Sequence, residues 1–515
     1  MPMSNKSESS GLDGEPRHLS VAAAEPPEYD GDAGLHDAVF GDLTGKGPNY
    51  RNVGWVGTVA LMMKTQVGLG VLSIPATFDT LGLIPGLVCL LAVAAVTTWS
   101  DHIVGVFKRR HPEVYGIDDA GGLMFGRIGR EALGAAFCVC ESKAQSSRGS
   151  PVSGLGLTQR AQDWIFVAGS GMLGISISLN AVSSHGACTA GFVAVAAVAG
   201  FMLASIRTLA RISWLAWAGL TGILVSSSSL PPRDAAPACC QACVILLVTV
   251  AVAVQDRPAA APPQGPWASD FKLVKRPSFA AAVSAVASIV FAYAGTPAFF
   301  SIAAEMRDPR HYTRSLLICQ AAVTVTYVSI GTVVYYYCGS YVASPALGSA
   351  GPLVKRIAYG LALPGLVATT TIVVHLPAKY AFVRILRGSK HLTANDAIHW
   401  ATWLSCTLVT TVIAYLIASG IPVFGGLVSL VGALLGTLMS FQPMGCMWLY
   451  DNWHRGRKDP ASRWIFMVVF SILVVVTGTF LMVAGTYGSI VGIIDSYNKS
   501  GASRAWTCAD NSNSA

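Results

Sequence analysis

The sequence predicts an all-α polytopic membrane protein, and three observations predict it. Of the 515 residues, 53% are hydrophobic and 12% are charged, with a mean hydropathy of +0.53. A chain so apolar cannot hide its surface in a soluble core. Its apolar residues gather in runs close to the roughly 20 residues that cross a bilayer as a helix. Two of those runs are interrupted by glycine and proline, at Gln66-Val67-Gly68-Leu69-Gly70-Val71-Leu72-Ser73-Ile74-Pro75 and at Tyr293-Ala294-Gly295-Thr296-Pro297. The net charge of +8 then concerns orientation in the membrane, not nucleic acid.

Residues 1–50 are rich in Ser, Gly, Pro, Asp and Glu and lack the apolar segment of a signal peptide, so they read as a disordered cytoplasmic tail. A transmembrane domain follows over 51–495 and a short extracellular tail over 496–515. Spans are expected near 53–78, 82–107, 132–180, 185–204, 213–254, 281–304, 315–342, 357–383, 397–418, 421–446 and 464–493, about eleven in all.

With the N-terminus cytoplasmic, the inner loops hold about eighteen basic residues and the outer loops and C-terminal tail about eight, which the positive-inside rule favours. Lys108, Arg109 and Arg110, then Arg307, Arg310 and Arg314, then Lys379, Arg384 and Arg387 are among the inner ones. An odd number of spans places the C-terminus outside, where the triplet Asn498-Lys499-Ser500 would be a readable glycosylation acceptor. Cysteines such as Cys138, Cys140, Cys319 and Cys446 lie in apolar runs without CxxC spacing, so the cysteines read as small packing residues and no metal site is expected.

Two polar segments interrupt the pattern. Residues 141–163 divide the third span into Leu133–Cys140 and Trp164–Asn180, neither of which spans comfortably alone, and 226–243 divide the fifth in the same way. They read as insertions relative to a working fold, from unspliced or mis-annotated sequence; the alternative is a pair of genuine re-entrant or extramembrane loops.

The glycine-proline breaks carry the chemistry. Unwound backbone is tolerated at membrane depth only where it lines a cavity or is buried in protein. The half-helix after each break offers free N–H groups and a positive dipole end to a carboxylate, while the carbonyls before it suit an ammonium or a cation. An amino acid zwitterion matches both. No charge lies in the second break to invite a charged side chain, and Phe299 and Phe300 could wall an apolar pocket, although either could equally face lipid or the core.

The runs MMKTQVGLGVLSIP, RISWLAW, FAYAGTPAFFSIAAEMRDPRHYTRSL and HLPAKYAFVRILRG resemble the amino acid/auxin permease family, in particular fungal neutral amino acid permeases of the methyltryptophan-resistance type. The resemblance implies the amino acid–polyamine–cation fold, two inverted five-helix repeats plus one helix, with broken helices 1 and 6. It also implies import of neutral aliphatic and aromatic amino acids by alternating access, driven by protons, with sodium as the alternative coupling ion and no other cofactor. Gly68, Gly70, Gly295 and Thr296 carry over as substrate contacts, and Ser73, Phe299 and Ser301 complete the expected site. Both polar segments depart from the family pattern.

Ionisable residues within spans are functional candidates. Lys64 and Glu305 lie on the cytoplasmic side of the two broken spans and could pair as an inner gate; snorkelling and interfacial solvation are the competing reading. His375, ahead of Pro377 in the eighth span, is a candidate proton carrier or a hydrogen-bonded structural histidine. The chain contains no GxxxxGK[ST], HExxH or productive GxSxG pattern, so an enzyme is not expected. The rival functions are an amino acid sensor without net transport and a vacuolar exporter. A monomer in the plasma membrane is expected, with the vacuolar membrane as the alternative and no partner beyond substrate and lipid.

Overall fold

The computed structural model describes residues 36–37, 41–42, 53–67, 70–137, 163–207, 258, 261, 268–349, 352–386, 389–392, 395–421, 423–457, 462–499, 506 and 508–512. Within the N-terminal tail, His36–Asp37 and Gly41–Asp42 form a two-residue antiparallel ladder. Everything else of regular structure among the described residues is helical.

Helix α1 (Trp55–Gln66) is followed by a 3₁₀ turn at Gly70–Ser73 and by α2 (Ile74–Leu81), whose first turn holds Pro75, where a missing N–H costs no helical hydrogen bond. Then come α3 (Leu83–Arg110), α4 (Ile117–Phe137), α5 (Asp163–Ser183) and α6 (Thr189–Ala204). The second broken span is α7 (Phe279–Ala292) and α8 (Thr296–Ala304). It is followed by α9 (Tyr312–Cys338), α10 (Pro352–Leu386) and α11 (Ala397–Gly420). Helices α12 (Phe424–Val431), α13 (Thr437–Ser440) and α14 (Gln442–Arg457) form one long rod bent at a π turn, Gly432–Gly436, and α15 (Ser462–Lys499) closes the series.

Nine helical stretches among the described residues are long and apolar enough to cross a bilayer, and Thr189–Ala204 is a shorter apolar helix. The expected fifth span and its polar segment 226–243 lie outside the described residues, as do 141–162. The third span differs from expectation in one respect. Ile165–Ser183 gives 19 residues of sufficiently apolar helix without help from the piece before the polar segment, and Leu133 belongs instead to α4, which begins at Ile117.

Helix α5 packs on α10 and α11, α15 packs on α7 and α14, and α9 lies along α1, α2 and α3. The two ends of the bundle are distinct. One end, called inner here, gathers the basic C-terminus of α3, the end of α8, the start of α9 and the end of α10. There Arg110 reaches Asp451 at 3.0 Å and Arg384 reaches Glu131 at 2.8 Å.

At the opposite, outer end the cysteine expectation is corrected. Cys319, Cys338 and Cys406 are buried thiols, but Cys188, just before α6, is bonded to Cys508 in the C-terminal tail, 320 residues later. The tail reinforces the link: the Trp506 N–H donates to the Ser419 carbonyl at 3.0 Å, Thr189 Oγ1 to the Ala509 carbonyl at 2.7 Å, and Asn180 Nδ2 to Asn511 Oδ1 at 2.8 Å. Disulfides persist in oxidising compartments.

Candidate functional site

The two breaks meet. At the first, α1 ends at Gln66 and regular helix resumes only at Ile74; at the second, α7 ends at Ala292 and α8 begins at Thr296 after a turn at Tyr293–Gly295. A Cβ on Gly70 would lie 2.5 Å from Ala292 Cα, and one on Gly295 would lie 2.9 Å from Gln66 Cγ and from Thr65 Oγ1. Glycine is required at Gly70 because its neighbour is backbone and cannot move aside. Gly68, the other expected contact in the first break, lies outside the described residues.

Tyr327 of α9 ties the breaks together. Its hydroxyl lies 2.8 Å from the Gln66 carbonyl and 2.8 Å from the Ala292 carbonyl, the last helical residues of α1 and α7. One O–H can thus serve two carbonyls that have lost their helical partners. Tyr293 stacks edge-on against Tyr327 with centroids 5.0 Å apart and donates to Thr324 Oγ1 at 3.1 Å. Helices α2 and α8 begin just after the two breaks, so their positive N-terminal ends and the carbonyls that end α1 and α7 belong to one junction.

Of the other residues expected at the site, Ser73, Thr296, Phe299 and Ser301 are all buried. Ser73 Oγ donates to the Gly70 carbonyl at 2.8 Å, so it stabilises the 3₁₀ turn as well as facing the break. The Thr296 hydroxyl is buried beside Asp101, and both side-chain polar atoms of Gln66 are buried without a hydrogen bond among the described residues. Each buried polar group of this kind has unused capacity for a ligand or water.

At the expected gate a further residue enters. The Glu305 carboxylate, at the end of α8, is ion-paired with the ammonium of Lys379 on α10, and both side chains are at most 2% exposed. Lys379 is therefore not a loop residue that sets topology, as its charge suggested, but a buried partner inside a helix. Lys64 is buried in the last turn of α1, on the same side. Beside the pair, Val53 N–H donates to the Glu305 carbonyl at 3.1 Å and Arg307 N–H to the Val53 carbonyl at 2.9 Å, which fastens the chain before α1 to the end of α8.

His375 stands apart from the breaks. Its Nδ1 lies 3.2 Å from the Ala204 carbonyl and its ring packs edge-on to Trp403 at 5.1 Å. These contacts come from the end of α6 and from α11, as the structural reading of this histidine expects.

Four residues escaped the sequence reading: Lys379, Gln66, Tyr327 and Asp101. Asp101 is fully buried on α3, and its Oδ2 accepts from Gln320 Nε2 of α9 at 2.5 Å. The signal for Asp101 was present, since it is a lone carboxylate inside the run 82–107 and intramembrane carboxylates are functional candidates. Lys379 had one too, because TTTIVVHLPAKYAFV places it within an apolar stretch.

A polytopic helical protein in which two interrupted helices meet has the architecture of a membrane transporter. The comparisons make the assignment specific. The family model described as transmembrane amino acid transporter protein matches residues 51–142 and 154–491, and the chain belongs to that family. The unmatched interval falls within the polar segment 141–163, while 226–243 lies inside a matched stretch. A transmembrane transporter of Gibberella moniliformis is 31% identical over 466 residues, covering 90% of this chain and 89% of that protein. The N amino acid transport system protein of Neurospora crassa is 28% identical over 464 residues, covering 89% of each. Among solved structures, a nucleobase-cation-symport-1 family transporter in a closed conformation is similar at a TM-score of 0.47 and 11% identity, covering 94% of this chain and 98% of that one.

Proposed function

We propose that this chain imports neutral amino acids by proton symport, with alternating access around the junction of the two broken helices. The observation that carries this reading is the direct meeting of the breaks: Gly70 against Ala292, Gly295 against Gln66, and Tyr327 spanning both carbonyls. The substrate carboxylate would take the N-terminal ends of α2 and α8, and its ammonium the carbonyls at the ends of α1 and α7. The buried rings of Phe299 and Phe300 and the absence of charge over Tyr293–Ser301 favour an uncharged side chain. Glu305 with Lys379 acts as the inner gate in this scheme, and the family's inverted five-helix repeat supplies the rocking motion.

The test is uptake of labelled leucine and phenylalanine by cells expressing the chain, with and without a protonophore and with sodium replaced. Uptake that the protonophore abolishes, and that excess lysine or aspartate leaves unchanged, is expected. Sodium-dependent uptake would overturn proton coupling, and competition by charged amino acids would overturn neutral selectivity.

A further inference from the structure

We propose that Asp101 is the residue that takes up and releases the coupling proton; this rests on the symport reading above and assigns its proton to one carboxyl group. Asp101 sits in the inner half of α3 with no exposure to solvent. Its Oδ2 accepts from Gln320 Nε2, and Oδ1 is fully buried. Thr296, the first residue of α8, lies beside the carboxyl, with its buried hydroxyl turned toward it. The groups that face Asp101 are Thr296 from α8 and Tyr312, Cys319 and Gln320 from α9, none of them a cation, and it forms no ion pair among the described residues.

A carboxylate buried in a membrane protein without a countercharge is costly, and a single proton on one oxygen removes that cost. The position couples this event to the site. Thr296 opens the half-helix that receives the substrate, so protonation of Asp101 changes the polar partner available to the first turn of α8. On the other side, the Tyr312 hydroxyl donates to the Asp101 backbone carbonyl at 2.9 Å, and Tyr312 begins α9 at the inner end of the bundle. Asp101 therefore lies between the substrate junction and the inner face. The proton bound with substrate adds to one carboxylate oxygen, and the same proton leaves from it toward the inner side after substrate release, so charge balances over the cycle. A proton needs only one acceptor, whereas a sodium ion needs several converging oxygens; at Asp101 Oδ2 the nearest group is an amide donor.

The experiment uses the full chain in proteoliposomes. It measures accumulation of labelled phenylalanine driven by an inward proton gradient, proton entry by an internal pH dye, and gradient-free exchange of labelled for unlabelled phenylalanine. The wild type should show phenylalanine-dependent proton entry; if it shows none, the symport reading fails and this assignment with it. Given that coupling, Asp101→Asn should keep exchange within about threefold of wild type while losing at least tenfold in accumulation and all substrate-dependent proton entry. His375→Ala should keep coupled accumulation. Should Asp101→Asn fail to fold, Gln320→Leu supplies the second readout. Removing a donor from the charged carboxyl favours its protonated form, so the midpoint of the uptake–pH profile should move to higher pH. Proton-driven accumulation by Asp101→Asn, or an unmoved profile in a folded Gln320→Leu protein, would overturn the assignment.

Discussion

The inner and outer closures around the two breaks are built from different materials. At the inner end, Glu305 and Lys379 form an ion pair almost entirely removed from solvent, next to the backbone bridge between Val53 and Met306. At the outer end, Lys275, in the segment before α7, pairs with Asp79 of α2 at 2.5 Å with side chains 23% and 26% exposed. Backbone bonds support it, from Leu83 N–H to the Lys272 carbonyl at 3.1 Å and from Lys275 N–H to the Leu81 carbonyl at 3.2 Å. A buried pair is expensive to break because the residual charge stays in a low dielectric, whereas a solvated pair exchanges its partner for water. The outer closure is therefore the easier one to open.

The largest effect should come from the inner pair. Lys379→Ala takes the ammonium away from the buried Glu305 carboxylate and should cost about 3–5 kcal/mol, read as a fall in thermal stability of the purified protein and loss of uptake. A change near zero would mean that the inner pair is not buried as described. Next is the link between the two ends, Tyr327→Phe, which removes one hydroxyl from two carbonyls and should cost on the order of 1–3 kcal/mol and lower uptake more than surface expression. Wild-type uptake in this variant would show that the carbonyls do not depend on Tyr327.

The outer pair should respond weakly and to salt. Asp79→Asn should change stability by less than about 1 kcal/mol, and the difference from wild type should shrink as ionic strength rises. A salt-independent loss as large as that of Lys379→Ala would erase the contrast between the two ends.

The two ends should also diverge in pH dependence. Burial lowers the Lys275 ammonium, but the hydrogen bond and charge of Asp79 outweigh it and hold the group above an ordinary lysine. A raised lysine contributes stability that is fully present below its unfolded value near 10.4 and is lost as pH rises through the folded value. The outer pair should thus be flat between about pH 5 and 9. On the inner side, Asp118 at the start of α4 is pushed up to about 6, first by burial and then by the charge of Asp119, against the opposing effects of Tyr380 and Arg384. The native state then holds a proton that the unfolded chain has lost, so stability should fall as pH rises from about 4 through 6. Unfolding of wild type and Asp118→Asn across that range checks it, since the variant should lack this step.

What was legible in the sequence is whatever local chemistry decides. Gly70 with Pro75 and Gly295 with Pro297 announce their breaks because glycine and proline change the backbone wherever they stand. The apolar runs likewise announce the spans, apart from the boundary of the third, where polar residues 141–163 masked a sufficient stretch after Asp163. Pairings between distant helices were not legible. Glu305 invited Lys64 by proximity in topology, yet the partner it takes in the fold includes Lys379, whose burial depends on how α10 packs against α8. Cys188 and Cys508 showed no paired spacing because 320 residues of chain separate them, although both fell on the outer side of the expected topology. Tyr327 carried no motif, and only the meeting of two helix ends reveals its role.

The most direct test of the central claim, that the meeting of the two breaks is the amino acid site, is substrate protection at Thr296. In a Thr296→Cys protein that retains uptake, labelling of Cys at 296 by a small methanethiosulfonate is followed by peptide mass spectrometry. Saturating leucine or phenylalanine should slow the labelling at least tenfold, and lysine and aspartate should leave it unchanged. Equal labelling with and without leucine or phenylalanine, in a protein that still transports, would contradict the account.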